Sequence, residues 1–181
     1  MAAPYSWTFT TTAPPPVAGQ CPCSVFTATS TPATASTNDG NGVEVGMKFR
    51  SDVAGSVTAI RFYKGSSNTG THTGHLWSST GTLLASVTFT GEGSSGWQQA
   101  NLSSPVAIMA NTTYVVSYYA PNGFYSSSSG YFNSAADRAP LHGLASGTEG
   151  SNGVYRYGSQ SFPTDSWNNT NYWVDVVFTT S

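Results

Sequence analysis

The sequence predicts an all-β protein, an antiparallel β-sandwich of jelly-roll-like form, from three observations. Apolar side chains recur at every second position over short runs. Clusters of Gly, Asn, Ser and Pro separate those runs. No window sustains a helical period. In the clearest run, Val43, Val45, Met47 and Phe49 share one face, and Glu44, Gly46, Lys48 and Arg50 share the other. That is the pattern of a half-buried strand. Val57 to Lys64 alternates likewise, with Ile60 and Phe62 on one side and Arg61 and Tyr63 on the other. Leu83, Ala85, Val87 and Phe89 line the next strand, and Tyr114, Val116 and Tyr118 another. The last strand gathers Tyr172, Val174, Val176 and Phe178. Weaker patterns predict strands near 24–29, 73–78, 97–102, 130–133 and 153–157. Turns are expected at Asp39-Gly40-Asn41, Gly65 to Gly70, Pro121-Asn122-Gly123 and Gly147 to Gly153.

Composition narrows the function. Charged residues are 8% of the chain and the formal net charge is -2, so no basic surface exists to attract nucleic acid or an anionic membrane. No apolar run approaches the roughly 20 residues that would insert into a bilayer. Ser, Thr, Gly and Asn must supply most of the wet surface, a habit of exported proteins. No export signal opens the chain, so the expectation is a secreted or cell-surface fragment whose signal lies upstream. Cys21 and Cys23 form Cys-Pro-Cys, too close for the usual zinc or redox spacing. They are read as a small local disulfide or as two free thiols, with half of a shared metal site as a remoter alternative.

Two units are expected. Residues 1–20 form a tail and Pro-rich linker; residues 21–181 form a single β-sandwich module. Tyr5-Ser6-Trp7-Thr8-Phe9-Thr10 alternates as a strand, and Ala13-Pro14-Pro15-Pro16 is a stiff spacer. The stretch from Ala3 to Thr11 resembles the last strand of a bacterial immunoglobulin-like repeat. That resemblance implies a tail that is poorly ordered or paired with a neighbouring sheet.

The module itself carries distinctive segments: Val43 to Asp52, Ile60 to Gly65, Asn68 to Gly74, Gly81 to Ala85, Tyr118 to Gly123, Gly153-Val154-Tyr155 and Tyr172 to Phe178. Together they resemble a bacterial domain family of unknown function. Its members occur in long exported proteins beside immunoglobulin-like, cadherin-like and carbohydrate-active modules. The resemblance covers roughly residues 23–179 and implies a secreted, modular context with neighbouring domains as partners. It supplies no catalytic residues.

A search for chemistry finds no constellation, and the chain is read as non-enzymatic. Glycoside hydrolysis needs two carboxylates across a cleft. Glu44 shares a polar strand face with Lys48 and Arg50. Asp52, Glu92 and Glu149 sit in turn-like contexts and are read as solvated. Asp137 and Arg138 are read as a loop ion pair. No Gly-x-Ser-x-Gly elbow occurs. His72, His75 and His142 are read as loop or surface residues, with His72 and His75 on opposite faces. No cofactor is implied, but a structural calcium ion is considered at Asp39, in a turn, and at Asp175, which interrupts an apolar strand. A buried carboxylate there would need hydrogen bonds or a cation.

The stronger signal is aromatic. Phe49, Phe62, Phe89, Tyr114, Trp173 and Phe178 read as core. Others fall in polar, turn-rich segments, where a flat ring could cover the apolar face of a sugar while polar side chains bond its hydroxyl rim. Packing of long loops is the competing use. The candidate ligand-binding set is His72, Asn122, Phe124, Tyr125, Asp137, Arg138, His142, Tyr155, Tyr157 and Trp167. The expected function is therefore a binding module for polysaccharide or cell-wall glycan. A structural spacer or adhesion module with a protein partner is the alternative, and a hydrolase has least support.

Overall fold

Thirteen strands make up nearly all the regular structure of residues 21–180, the part of the chain that the computed structural model describes. In chain order they are β1 (Thr34–Asn38), β2 (Val43–Ser51), β3 (Gly55–Lys64), β4 (Thr73–Ser78), β5 (Leu83–Thr88), β6 (Gly96–Ile108) and β7 (Tyr114–Ala120). Then come β8 (Phe124–Ser127), β9 (Ala136–Arg138), β10 (Leu141–Gly143), β11 (Val154–Tyr157), β12 (Asp165–Ser166) and β13 (Val174–Thr180). The tail and linker expected over residues 1–20 lie outside the described part. No helix among the described residues is long and apolar enough to cross a membrane.

A large sheet runs β12-β11-β2-β7-β4-β5, with β10 and β9 added beside β2. A smaller sheet, β13-β3-β6, faces it, and β1 pairs β8 as a separate ribbon. All these pairings are antiparallel. The chain weaves between the layers: β2 lies in the large sheet, β3 in the small, β4 and β5 in the large, β6 in the small, β7 in the large and β13 in the small. This is the jelly-roll-like sandwich expected from alternation.

The core forms where the apolar faces meet. Val43, Val45, Met47 and Phe49 of β2 are buried against Val57, Ile60 and Phe62 of β3 and Val174, Val176 and Phe178 of β13. Phe62 stacks on Tyr118 with ring centroids 4.3 Å apart and meets Phe89 edge-on at 4.8 Å. Such aromatic contacts add to the gain from burial.

Several expectations need correction. Residues 24–29 form no strand; their backbone is claimed by a side chain described below. Tyr131–Asn133 is a short 3-10 turn. β2 is buried on both faces over its first half: Glu44 is fully buried, and the outer face near Gly46 is covered by Pro163. Phe162 packs beside it on Trp77, Val115 and Val154. A covered outer face asks for polar residues that satisfy one another. Glu44 accepts from Ser117 Oγ at 2.6 Å and bonds His75 Nδ1 at 2.9 Å, and Trp77 Nε1 donates to Ser117 at 2.8 Å. Burial pushes the Glu44 carboxyl up.

Candidate functional site

The large sheet is wider than the small one. β11 extends it past β2, with Tyr155 opposite Val45 and Tyr157 opposite Val43. The small sheet does not reach this far. The β1–β8 ribbon and the segment leading from Trp167 to Tyr172 cover the extension instead, leaving a groove of about 340 Å³. Its volume is at the small end of the range for ligand pockets.

Four tyrosines and one carboxylate close a ring around this groove. Tyr125 meets Tyr172 edge-on at 5.4 Å, Tyr172 meets Tyr155 at 6.3 Å, and Tyr155 meets Tyr157 at 5.3 Å. The hydroxyls of Tyr157 and Tyr125 both donate to Asp39 Oδ2, each at 2.6 Å. Asp39 reaches them because the turn after β1 is held by Asp39 N–H to the Gly123 carbonyl at 3.0 Å. Two neutral phenols donating to one oxygen stabilise its negative charge. The effect is reciprocal. The Tyr157 hydroxyl is pushed up to about 12, first by its bond to Asp39 and then by burial. Burial, followed by the same carboxylate, raises Tyr125 further.

Exposure separates walls from floor. Trp167 is 70% exposed and Tyr157 49%, whereas Tyr125 is 8% and Tyr172 3%. The first two present ring surface to solvent; the last two anchor the ring. Thr37, Ser127, Ser129 and Thr170 add hydroxyls to the lining. Tyr172 points here because Trp173, at φ 56, is left-handed and breaks the alternation expected for the last strand. That conformation is costly for a bulky residue. It is held by Trp173 N–H to Asn171 Oδ1 at 2.8 Å and Trp173 Nε1 to Ser128 Oγ at 2.9 Å.

Of the ten residues expected to bind ligand, Tyr125, Tyr155, Tyr157 and Trp167 come together here. The other six do not. His72 is fully buried, with Nδ1 on Glu92 at 2.8 Å and Nε2 on Asn68 at 2.8 Å. Burial pulls its imidazole down, against the pull of Glu92. Glu92 also takes Lys64 at 2.7 Å, so it is no solvated turn residue. His75, on Glu44, is likewise buried. Asn122 donates to the Thr69 carbonyl and tethers a turn. Phe124, half-buried at the start of β8, stands outside the groove lining. Asp137 and Arg138 do not pair with each other: Asp137 bonds His142 at 2.7 Å, and Arg138 donates to the Ser24 and Phe26 carbonyls. His142 lies between Asp137 and Asp52 and staples β9 and β10 to the end of β2.

The two residues considered for calcium differ. Asp175 is fully buried. Its Oδ1 accepts from the backbone N–H of Val25 and Val176, and its Oδ2 from Phe26 N–H and from Arg61 Nε and Nη2 at 3.2 and 3.0 Å. Three backbone N–H donors and a guanidinium do not fit a cation. They explain instead why residues 24–29 form no strand. Among the described residues Asp39 faces two phenol protons and no second carboxylate, a donor set equally unlike a calcium site. Cys21 and Cys23 are bonded to each other.

An all-β sandwich with a tyrosine-ringed groove at one edge is thus the class of protein the fold defines. The family model described as Domain of unknown function (DUF4082) matches residues 29–174, and the chain belongs to that family. No curated protein matches it.

Proposed function

We propose that the chain is a non-catalytic carbohydrate-binding module that works outside the cell, at the surface or in secreted form, as one part of a longer protein. The observation that carries this reading is the groove: Trp167 and Tyr157 offer flat ring surface to solvent above a lining of hydroxyls. A pyranose stacks its C–H face on such rings while its rim bonds the hydroxyls and Asp39. One carboxylate lines the groove, where glycoside hydrolysis uses a pair; this supports binding without turnover.

Placement supports the same reading. Cys23 and Phe178 exchange backbone hydrogen bonds of 2.9 and 2.8 Å, so the described body begins and ends side by side. That point lies at the Val57 end of β3, while the β1–β8 ribbon sits at the Tyr63 end through Ser126 Oγ to the Tyr63 carbonyl. Six strand residues at about 3.3 Å each put the groove roughly 20 Å from the Cys23–Phe178 pair.

The test is retention on a panel of plant, fungal and bacterial polysaccharides. Retention lost in Trp167→Ala and Tyr157→Ala, with the circular dichroism spectrum unchanged, is the expected result. No retention on any glycan would overturn the reading.

A further inference from the structure

Charge in the groove is one-sided. The chain has six Lys and Arg residues, and each is committed elsewhere. Arg50 pairs with Glu149, Arg61 with Asp175 and Lys64 with Glu92. Lys48 donates to the Glu149 carbonyl, Arg138 to the Ser24 carbonyl, and Arg156 to Thr164 Oγ1. Arg156 lies between Tyr155 and Tyr157 on β11, so alternation turns it to the opposite face. The three histidines face Glu92, Glu44 and the Asp52–Asp137 pair.

The acids show the converse. Glu44, Asp52, Glu92, Asp137, Glu149 and Asp175 each meet a basic side chain, leaving Asp39 and Asp165 of the eight. Asp165 is an exposed residue of a short edge strand. Asp39 is half-buried inside a ring of aromatics. Its Oδ2 is held by two phenols, and no hydrogen bond among the described residues occupies Oδ1. The faces of tyrosine and tryptophan rings are themselves electron-rich and attract cations. A carboxylate without a counter-ion, framed by such rings, favours a positively charged ligand and disfavours an anionic one.

We infer that the groove selects glycans bearing a protonated amino group, such as oligomers of unacetylated glucosamine, over neutral and acidic glycans. This inference rests on the carbohydrate reading and adds the charge of the sugar. The ammonium bonds Asp39 Oδ1, and the pyranose faces rest on Trp167 and Tyr157.

Calorimetry on the full chain at mildly acid pH, with four matched oligosaccharides, tests it: glucosamine, N-acetylglucosamine, glucose and galacturonic acid oligomers. Glucosamine oligomers are expected to bind about tenfold tighter than the neutral pair or better, a charge-assisted contact's worth, with galacturonate weakest. Asp39→Asn is expected to abolish the preference. Should that variant fail to fold, salt gives the same answer on the unaltered chain. Affinity for glucosamine oligomers must fall as ionic strength rises, and affinity for glucose oligomers must not. Equal affinity for amine-bearing and neutral oligomers, or tighter binding of galacturonate, overturns the inference and leaves the carbohydrate reading standing. Absence of binding to all four, together with failure on the polysaccharide panel, removes both.

Discussion

Asp175 and Asp39 are both aspartates that a turn or strand context marks as unusual, and they do opposite work. Asp175 is sealed in the sandwich, with every acceptor position filled by an N–H and a guanidinium 3.0 Å away. Arg61 in turn lies 4.1 Å over the Trp97 ring. This carboxylate is finished as a ligand and serves to tie residues 24–29 to β13. Asp39 sits where the sheets stop matching in width. It is bonded through one oxygen to phenols and keeps its other side toward a groove. In this pair the carboxylate with a complete donor set holds the fold together, and the one with an incomplete set faces the groove.

The largest effect expected from this contrast is on stability at Asp175. Asp175→Asn leaves the Arg61 guanidinium without its counter-charge and should cost about 3–5 kcal/mol, read from the denaturant midpoint. A loss under about 1 kcal/mol would mean that Asp175 is no more structural than Asp39.

Next comes the groove carboxylate. Asp39→Asn should cost no more than about 1 kcal/mol, because half of Tyr157 faces water. Its clearer mark is spectroscopic. Tyr157 should titrate lower in the variant than the roughly 12 of the unaltered chain, with burial still holding it above the ordinary 10.0, seen as tyrosinate absorbance. The sign follows from a raised folded value. The stabilisation is whole below about pH 10 and is lost as pH climbs through about 12. An unchanged titration curve would detach Asp39 from the ring.

A smaller effect belongs to His142. Burial opposes its charge, but Asp52 and Asp137 outweigh burial and hold its imidazole above the usual 6.5. The stabilisation is therefore present below pH 6.5 and is lost as pH rises through the raised folded value. Being partly exposed, it should amount to about 0.5 kcal/mol, and His142→Gln should flatten that part of the stability profile. Smallest of all is Trp167→Ala, which should change stability by less than about 0.5 kcal/mol while abolishing glycan retention. A large stability loss there would turn Trp167 from a binding surface into a packing residue.

The candidate site was legible in part. Tyr125, Tyr155, Tyr157 and Trp167 could be nominated because they are aromatic residues in polar, turn-rich surroundings. Asp39 drew attention as a turn carboxylate, but nothing local tied it to tyrosines in β8 and β11. Alternation carried through Trp173 groups Tyr172 with Val174, Val176 and Phe178, but the left-handed backbone of Trp173 interrupts it and turns Tyr172 to the groove. No apolar row announces β1 or β8, because Thr34–Asn38 and Phe124–Ser127 carry mostly small polar side chains. The turn chemistry did contain one signal: Gly123, at φ 72, lies so near Asn41 that a Cβ would fall 2.5 Å from its carbonyl oxygen. Pro121-Asn122-Gly123 announces a turn in the sequence, but only the fold brings it against the turn at Asp39.

Sequence alone settled that this chain builds β-layers, and which rows of side chains face inward on β2, β3, β7 and most of β13. Those are local facts: a strand turns successive residues to opposite faces wherever it lies. Only the tertiary structure decided which polar groups are buried and which face the groove. Burial depends on what covers a face, as Pro163 covers Gly46 and nothing from the small sheet covers Tyr157. Whether a carboxylate is satisfied depends on donors far away in the chain, here 114 residues for Arg61 with Asp175 and 118 for Tyr157 with Asp39.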